Sequence, residues 1–259
     1  MRFIFKVLAS IYLIIIFTII SLFTLIFFRD PRSRLDRISK NTAMFSPILL
    51  WIMGICIKIK DHEQDRFLGN KTLIVANHIS YVDVFILAAI RPMLFISSVE
   101  LSRKIFVGHV SKLGGTLFVE RRKNTNLRQE IERITSVLRD GYVVTLFPEA
   151  RTSDGKGVLP FKGALFEAAI KSETDVTPVC ISYPSIDGQN LSLENKDVVV
   201  FHGGVKFFPH IINLFKYHNI EAEVEFFPRI STKGKRRKDV VVQSYELIEK
   251  SYMKKTQTA

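Results

Sequence analysis

From Val7 to Phe28 the chain runs for 22 residues without a charge, mostly Ile, Leu and Phe, between Lys6 and Arg29. No other feature restricts the fold as much. At about 1.5 Å of rise per residue such a helix is roughly 33 Å long, enough for the hydrocarbon core of a bilayer. A secretory signal peptide has a shorter apolar region and ends in small residues at a cleavage site. Here Arg29, Asp30, Pro31 and Arg32 follow, so the segment reads as a membrane anchor. Two basic residues precede it (Arg2, Lys6) and five follow (Arg29, Arg32, Arg34, Arg37, Lys40), and the more basic flank stays cytoplasmic. The expected location is the cytoplasmic face of the inner or cell membrane.

A second uncharged stretch, Asn41 to Ile57, holds Pro47 and Trp51 and is short for a span. It reads as a helix lying in or dipping into the interface, with Trp51 near the headgroups. A buried core helix is the alternative. The chain then divides into an anchor with its basic flank (1–40), an interfacial apolar helix and linker (41–70), and a globular domain with a basic C-terminal segment (71–259).

Charge agrees with a membrane partner. The net charge of +12 comes from 37 basic and 25 acidic residues. Residues 1–40 contribute +5 and residues 229–259 contribute +6, leaving +1 for everything between. A nucleic-acid-binding domain spreads Lys and Arg over its folded surface, so nucleic acid is not expected as a partner. The run Lys233, Lys235, Arg236, Arg237, Lys238 fits a lipid-facing segment and a solvated loop equally. Cys56 and Cys180 stand far apart with no metal-ligand spacing beside them, so neither a disulfide scaffold nor a metal site is expected.

After Lys58, short apolar runs alternate with amphipathic ones. Strands are expected at 72–76, 93–97, 116–119, 142–147, 176–182 and 222–227. Helices are expected at 82–90, 103–113, 126–139, 161–171 and 240–252. In the third of these helices Leu127, Ile131, Ile134 and Leu138 recur at helical spacing. The alternation implies an α/β fold with a largely parallel sheet flanked by helices.

Functional groups in such sheets gather at the carboxyl ends of strands. After the first expected strand comes Asn77-His78-Ile79-Ser80-Tyr81-Val82-Asp83. With His78 in the turn, Ser80 as N-cap and Asp83 in the first helical turn, the carboxylate reaches back to the imidazole. It then holds one tautomer and leaves the other ring nitrogen free to take a proton from a hydroxyl. Alone, a His with an Asp five residues later is a weak signal, more often a capping or surface feature. Two further strand ends strengthen it: Gly115-Thr116-Leu117-Phe118-Val119-Glu120-Arg121, and Phe147-Pro148-Glu149-Ala150-Arg151-Thr152-Ser153. Guanidinium groups suit planar recognition of phosphate oxygens.

Together these blocks resemble the glycerolipid acyltransferase family, whose signatures are Asn-His-x4-Asp, Gly-x-x-Phe-x-x-Arg, Phe-Pro-Glu-Gly-Thr-Arg-Ser and a later Val-Pro pair. Asn77, His78 and Asp83 meet the first, and Gly115, Phe118 and Arg121 the second. The third departs: Ala150 replaces the usual Gly, and Arg151 sits one place early, where Thr152 holds the family's Arg position. Val176, Thr177, Pro178 and Val179 approximate the fourth. The resemblance covers about residues 70 to 185 and makes 71–259 an acyltransferase domain. The Glu-Ala-Arg-Thr-Ser form is also similar to relatives that acylate lyso-ornithine lipids and lysophosphatidylcholine.

The resemblance implies transfer of a fatty acyl group from acyl-CoA or acyl carrier protein to the free hydroxyl of a lyso-lipid, 1-acylglycerol-3-phosphate first among them. The thioester is a co-substrate, and no cofactor or metal is implied. His78, oriented by Asp83, is the implied general base. Asn77, Gly115, Phe118, Arg121, Phe147, Pro148, Glu149, Arg151 and Thr152 are the implied substrate-binding set, with Glu149 orienting an arginine or contacting the glycerol backbone. The rivals are a non-catalytic lipid-binding protein and a membrane-attached thioester hydrolase. His62, His109, His202, His210 and His218 lack a carboxylate in motif spacing, and no Gly-x-Ser-x-Gly is present.

Overall fold

The structure, a computed structural model, describes residues 1–62, 71–120, 124–192 and 194–257. Two long helices open the chain, α1 (Arg2–Phe27) and α2 (Pro31–Met53), followed by strands β1 (Ile55–Asp61) and β2 (Thr72–Ala76). Then come α3 (Val82–Ile90), β3 (Leu94–Ser98), α4 (Val99–Ser102), α5 (Ile105–Leu113), β4 (Leu117–Val119), α6 (Asn124–Arg139) and β5 (Val143–Leu146). A 3₁₀ turn (Gly163–Phe166) leads into α7 (Glu167–Ser172) and β6 (Val176–Ile186). The two-residue β7 (Gln189–Asn190), α8 (Phe207–Leu214), β8 (Ile220–Phe226) and α9 (Arg237–Gln257) complete the chain.

The sheet order is β1-β8-β6-β2-β5-β3-β4, with β7 paired to β6. Every neighbouring pair is parallel except β6 with β8 and β6 with β7. All five residues of β2 are buried, as expected for an unbroken apolar run with helices over both faces. Because β2, β5, β3 and β4 run parallel, the loops after them share one edge. β4 lies three strands from β2, about 14 Å across at the usual strand spacing.

The apolar helices fold against the domain. Asp30 caps α2 by accepting from the Ser33 N–H at 2.7 Å, with Pro31 beginning the helix. α1 lays Ser10, Phe17, Ser21 and Thr24 onto α2, where Asn41 donates to Thr24 Oγ1 at 3.1 Å and Phe45 meets Phe17 edge-on. Near the other end of this hairpin the Lys6 ammonium donates to the carbonyls of Met53 (2.9 Å) and Tyr217 (2.5 Å). The rest of α1 stays apolar and largely exposed, long and hydrophobic enough to cross a membrane by length and composition.

The stretch 41–57 is not one helix. α2 ends at Met53, Gly54 takes a left-handed φ of +81°, and the next seven residues form the edge strand β1. The helical part has two faces: Thr42, Phe45, Ser46 and Leu50 are buried, whereas Met44, Ile48 and Trp51 are exposed, Trp51 at 73%. β1 escaped the sequence reading because Ile55-Cys56-Ile57 extends the uncharged run. Its continuation alternates Lys58, Lys60 and His62 against Glu221, Glu223 and Glu225 of β8, two ion pairs at 3.0 and 3.1 Å followed by a His62–Glu225 hydrogen bond at 2.8 Å. Burial pushes the Glu225 carboxyl up, but hydrogen bonds from Lys255, Ser251 and His62 hold it down, at about 2.

Most other elements fall where the sequence places them. Thr72–Ala76 and Val82–Ile90 agree to the residue. The strand expected at 176–182 continues to Ile186, and the helix expected at 161–171 divides into the 3₁₀ turn and α7.

Candidate active site

β2 delivers Asn77 and His78 to the carboxyl edge of the sheet. Asn77 is 1% exposed and binds the backbone of Ile181 on neighbouring β6 in both directions, Nδ2 donating to the carbonyl at 2.9 Å and Oδ1 accepting from the N–H at 2.7 Å. It therefore extends the β2–β6 ladder by one side-chain rung and fixes where the strand stops.

His78 Nδ1 lies 2.9 Å from Asp83 Oδ2, and the same oxygen accepts from the N–H groups of Ile79 (2.8 Å) and Ser80 (2.9 Å). Asp83 Oδ1 accepts from the Tyr183 hydroxyl at 2.6 Å. The carboxylate is fully buried and holds four hydrogen bonds, so it has no freedom to turn away. Because a carboxylate only accepts, Nδ1 is the donor of this pair, and in the neutral imidazole the lone pair then lies on Nε2. The His78 side chain is 17% exposed. Ser80 is not the N-cap of α3, a place taken by Tyr81; its hydroxyl accepts only a long contact from the Val82 N–H at 3.4 Å, and the N–H groups that Asp83 gathers, those of Ile79 and Ser80, belong to the turn before the helix.

The second parallel neighbour of β2 brings the Phe147 block. The Phe147 ring stacks on the imidazole, centroids 4.0 Å apart and planes 17° from parallel. Glu149, 2% exposed, accepts the His78 backbone N–H at 2.7 Å with Oε1 and the Leu159 N–H at 2.8 Å with Oε2. Burial pushes its carboxyl up to about 7 despite those two donors and the nearby Arg151 charge. The Ser153 N–H donates to the His78 carbonyl at 2.8 Å, closing a second tie between the two loops. Both Glu149 oxygens are thus engaged with backbone that seats His78. Pro148 is buried and accepts the Lys162 N–H at 2.9 Å.

Ala150 takes φ +62°, in the left-handed region where the family has glycine. Arg151 is exposed and Thr152 half-buried; neither makes a hydrogen bond with a described residue. Gly115, at φ +79°, has no room for a Cβ, which would stand 2.9 Å from Ile38 Cγ2 and 3.1 Å from Leu94 Cδ2. This glycine seats α2 against the sheet. Phe118 is half-buried on β4, whose end leads to Arg121; Arg121 lies outside the described residues.

Sequence reasoning missed Tyr183. It is 2% exposed, and burial beside Asp83 pushes its hydroxyl well above the ordinary phenol range, so it stays a donor. A residue 100 positions from Asp83 leaves no local signature.

A buried Asp, a histidine whose Nδ1 is fixed while Nε2 meets no hydrogen-bond partner among the described residues, and a surrounding set of parallel strand ends form a candidate general-base site on an α/β scaffold. Residues 58–182, just under half of the chain, match the family model Acyltransferase. Over 182 residues, 68% of this chain and 61% of the relative, it is 30% identical to a lyso-ornithine lipid O-acyltransferase of Rhizobium meliloti (strain 1021). Over 114 residues, 44% of this chain and 45% of the relative, it is 37% identical to a 1-acyl-sn-glycerol-3-phosphate acyltransferase of Neisseria gonorrhoeae. The matches thus span about half to three-fifths of those relatives' lengths. The crystal structure of a 1-acyl-sn-glycerophosphate acyltransferase from Thermotoga maritima shares the fold, with a TM-score of 0.66 at 19% identity over 98% of this chain and 97% of that one.

Proposed function

We propose that the protein transfers a fatty acyl group from an acyl thioester to the free hydroxyl of a lyso-lipid at a membrane surface, with 1-acylglycerol-3-phosphate as acceptor and phosphatidic acid as product. The observation that carries this reading is the His78–Asp83 pair, with Nδ1 held at 2.9 Å and Nε2 without a hydrogen-bond partner among the described residues. Nε2 takes the hydroxyl proton as that oxygen attacks the thioester carbonyl, the carbon–sulfur bond breaks, and the proton passes to the departing thiolate. Asp83 stabilises the imidazolium formed in between. No covalent enzyme intermediate is required.

The donor is acyl-CoA or acyl carrier protein. Arg121, two residues beyond β4 in the sequence, and the exposed Arg151 are the cations proposed for the acceptor's phosphate. The domain works on the cytoplasmic face, and α1 with the exposed face of α2 holds it to the bilayer.

One observation favours a second acceptor. The segment after Glu149 departs from the family's spacing, and a relative 30% identical over 68% of this chain is named for lyso-ornithine lipid. A panel of lyso-lipids with one labelled acyl-CoA separates the two, and release of free thiol without acceptor would reveal a hydrolase instead. His78→Ala is expected to lower transfer by about a hundredfold or more while the protein stays folded and membrane-bound. Near-parental turnover in that variant refutes the assignment of the base.

A further inference from the structure

Away from α1 and α2, exposed large apolar side chains concentrate in one place. Ile105 (86%) and Phe106 (41%) on α5 stand beside Val205 (42%), Phe208 (59%) and Ile212 (46%) at α8. Phe106 lies 6.3 Å from Phe207 and 5.9 Å from Phe208, centroid to centroid, so the two helices present one continuous patch. Scattered apolar residues on a surface need no explanation, but a contiguous group of five does.

Two observations identify what covers it. Cations predominate on the segments that form the patch: Arg103, Lys104, Lys112, Lys206 and Lys216 are exposed, and neither 101–119 nor 198–219 contains an Asp or Glu, while the acids beside them are Glu100 on α4, Asp197 near His210, and Asp187, which accepts from the His218 and Asn219 N–H groups. Apolar side chains flanked by an excess of cations match an anionic lipid surface, to which each nearby Lys or Arg adds attraction. The patch also continues the exposed apolar face of α1, which packs beside α5.

The patch reaches the site as well. Phe207 contacts the Tyr81 ring at 4.9 Å, the Tyr81 hydroxyl meets His210 Nδ1 at 3.0 Å, and Tyr81 lies inside the His78–Asp83 turn. His210 donates from Nε2 to the Val200 carbonyl at 3.2 Å, so its Nδ1 accepts from Tyr81.

We propose that the α5/α8 patch is a second, catalytic-domain contact with an anionic bilayer, separate from the α1–α2 hairpin, which sets the mouth of the His78 site against the lipid surface. This deepens the function proposed above and rests on its membrane location, though not on its acceptor.

The test uses the full chain and vesicles of phosphatidylcholine with and without phosphatidylglycerol. Ile105→Glu/Phe208→Glu changes two exposed residues remote from the reacting atoms. It is expected to weaken partitioning onto the anionic vesicles by about tenfold or more, as loss of two inserted side chains implies. Transfer to a short-chain lyso-lipid dissolved below its micellar concentration should stay at the parental rate. In a Trp51→Phe background, which removes the sole tryptophan, Phe208→Trp should be quenched by lipids brominated on their acyl chains. Unchanged partitioning, absence of quenching, or conversion of a dimer to a monomer with vesicle binding intact would each overturn the proposal. If the parent protein transfers nothing to the dissolved acceptor while the double variant still loses binding, the docking surface stands and the enzymatic reading falls.

Discussion

Tyr183→Phe separates support of the catalytic pair from participation in it. The change removes the 2.6 Å hydrogen bond to Asp83 Oδ1 and leaves the three on Oδ2 in place. Asp83 is fully buried, so no water replaces the lost donor. A hydrogen bond to a charged group contributes about 1.5–3 kcal/mol. At about 2–4 °C per kcal/mol for a domain of this size, the melting temperature should fall by roughly 3–12 °C. The rate should change far less, because Nδ1 keeps its partner and Nε2 its lone pair. Transfer within about tenfold of the parent, at unchanged KM for the thioester, is the expected result. Asp83→Asn in parallel should cost about 10⁴ in rate, the effect seen where a buried carboxylate orients a catalytic imidazole. Thermal unfolding in detergent micelles and initial rates with labelled acyl-CoA measure both. If Tyr183→Phe melts with the parent, the bond does not support Asp83. If its rate falls as far as that of Asp83→Asn, Tyr183 belongs to the proton-transfer apparatus and the division drawn here is wrong.

Glu149 has a folded pKa raised to about 7 from an ordinary 4.5 by burial. The folded state therefore holds this proton more tightly than the unfolded chain. Its effect on stability is most favourable below about pH 4.5 and declines as pH rises to about 7, by roughly 3 kcal/mol. Glu149→Gln should flatten that part of the stability–pH curve, and an unchanged slope from pH 5 to 7 would count against it. Ala150→Gly relieves about 1–2 kcal/mol of left-handed strain and gives back about 0.5–1 through the freer unfolded chain, so melting should rise by about 1–4 °C. A lower melting temperature would show that Ala150 is not strained.

The parts of the site that the sequence announces are those within one turn of chain. His78 and Asp83 sit five residues apart, and a single loop-to-helix transition brings them together. Long-range partners leave no such trace. Asn77 reads as a substrate contact until its pairing with Ile181 is visible, and both oxygens of Glu149 are occupied by backbone N–H groups. Gly115 reads as part of a binding motif, yet the space it frees is filled by Ile38 of α2. In the fold, β2 and α3 were legible because composition and period agree there. α8 was not: Pro209 interrupts a short apolar run in which His210 and Asn213 are the only polar residues.

The Lys6 ammonium joins two carbonyls 164 residues apart, Met53 at the end of α2 and Tyr217 just before β8. Removing the first thirty residues to obtain a soluble protein would strip the cover from Phe45 and Asn41 and leave the α2 terminus without its cation. Such a truncation is expected to fail by aggregation, not to yield a detached catalytic unit. For this chain, solubility is better sought by placing charges on the outward residues of α1, such as Ile15, Ile19 and Phe23, than by shortening it.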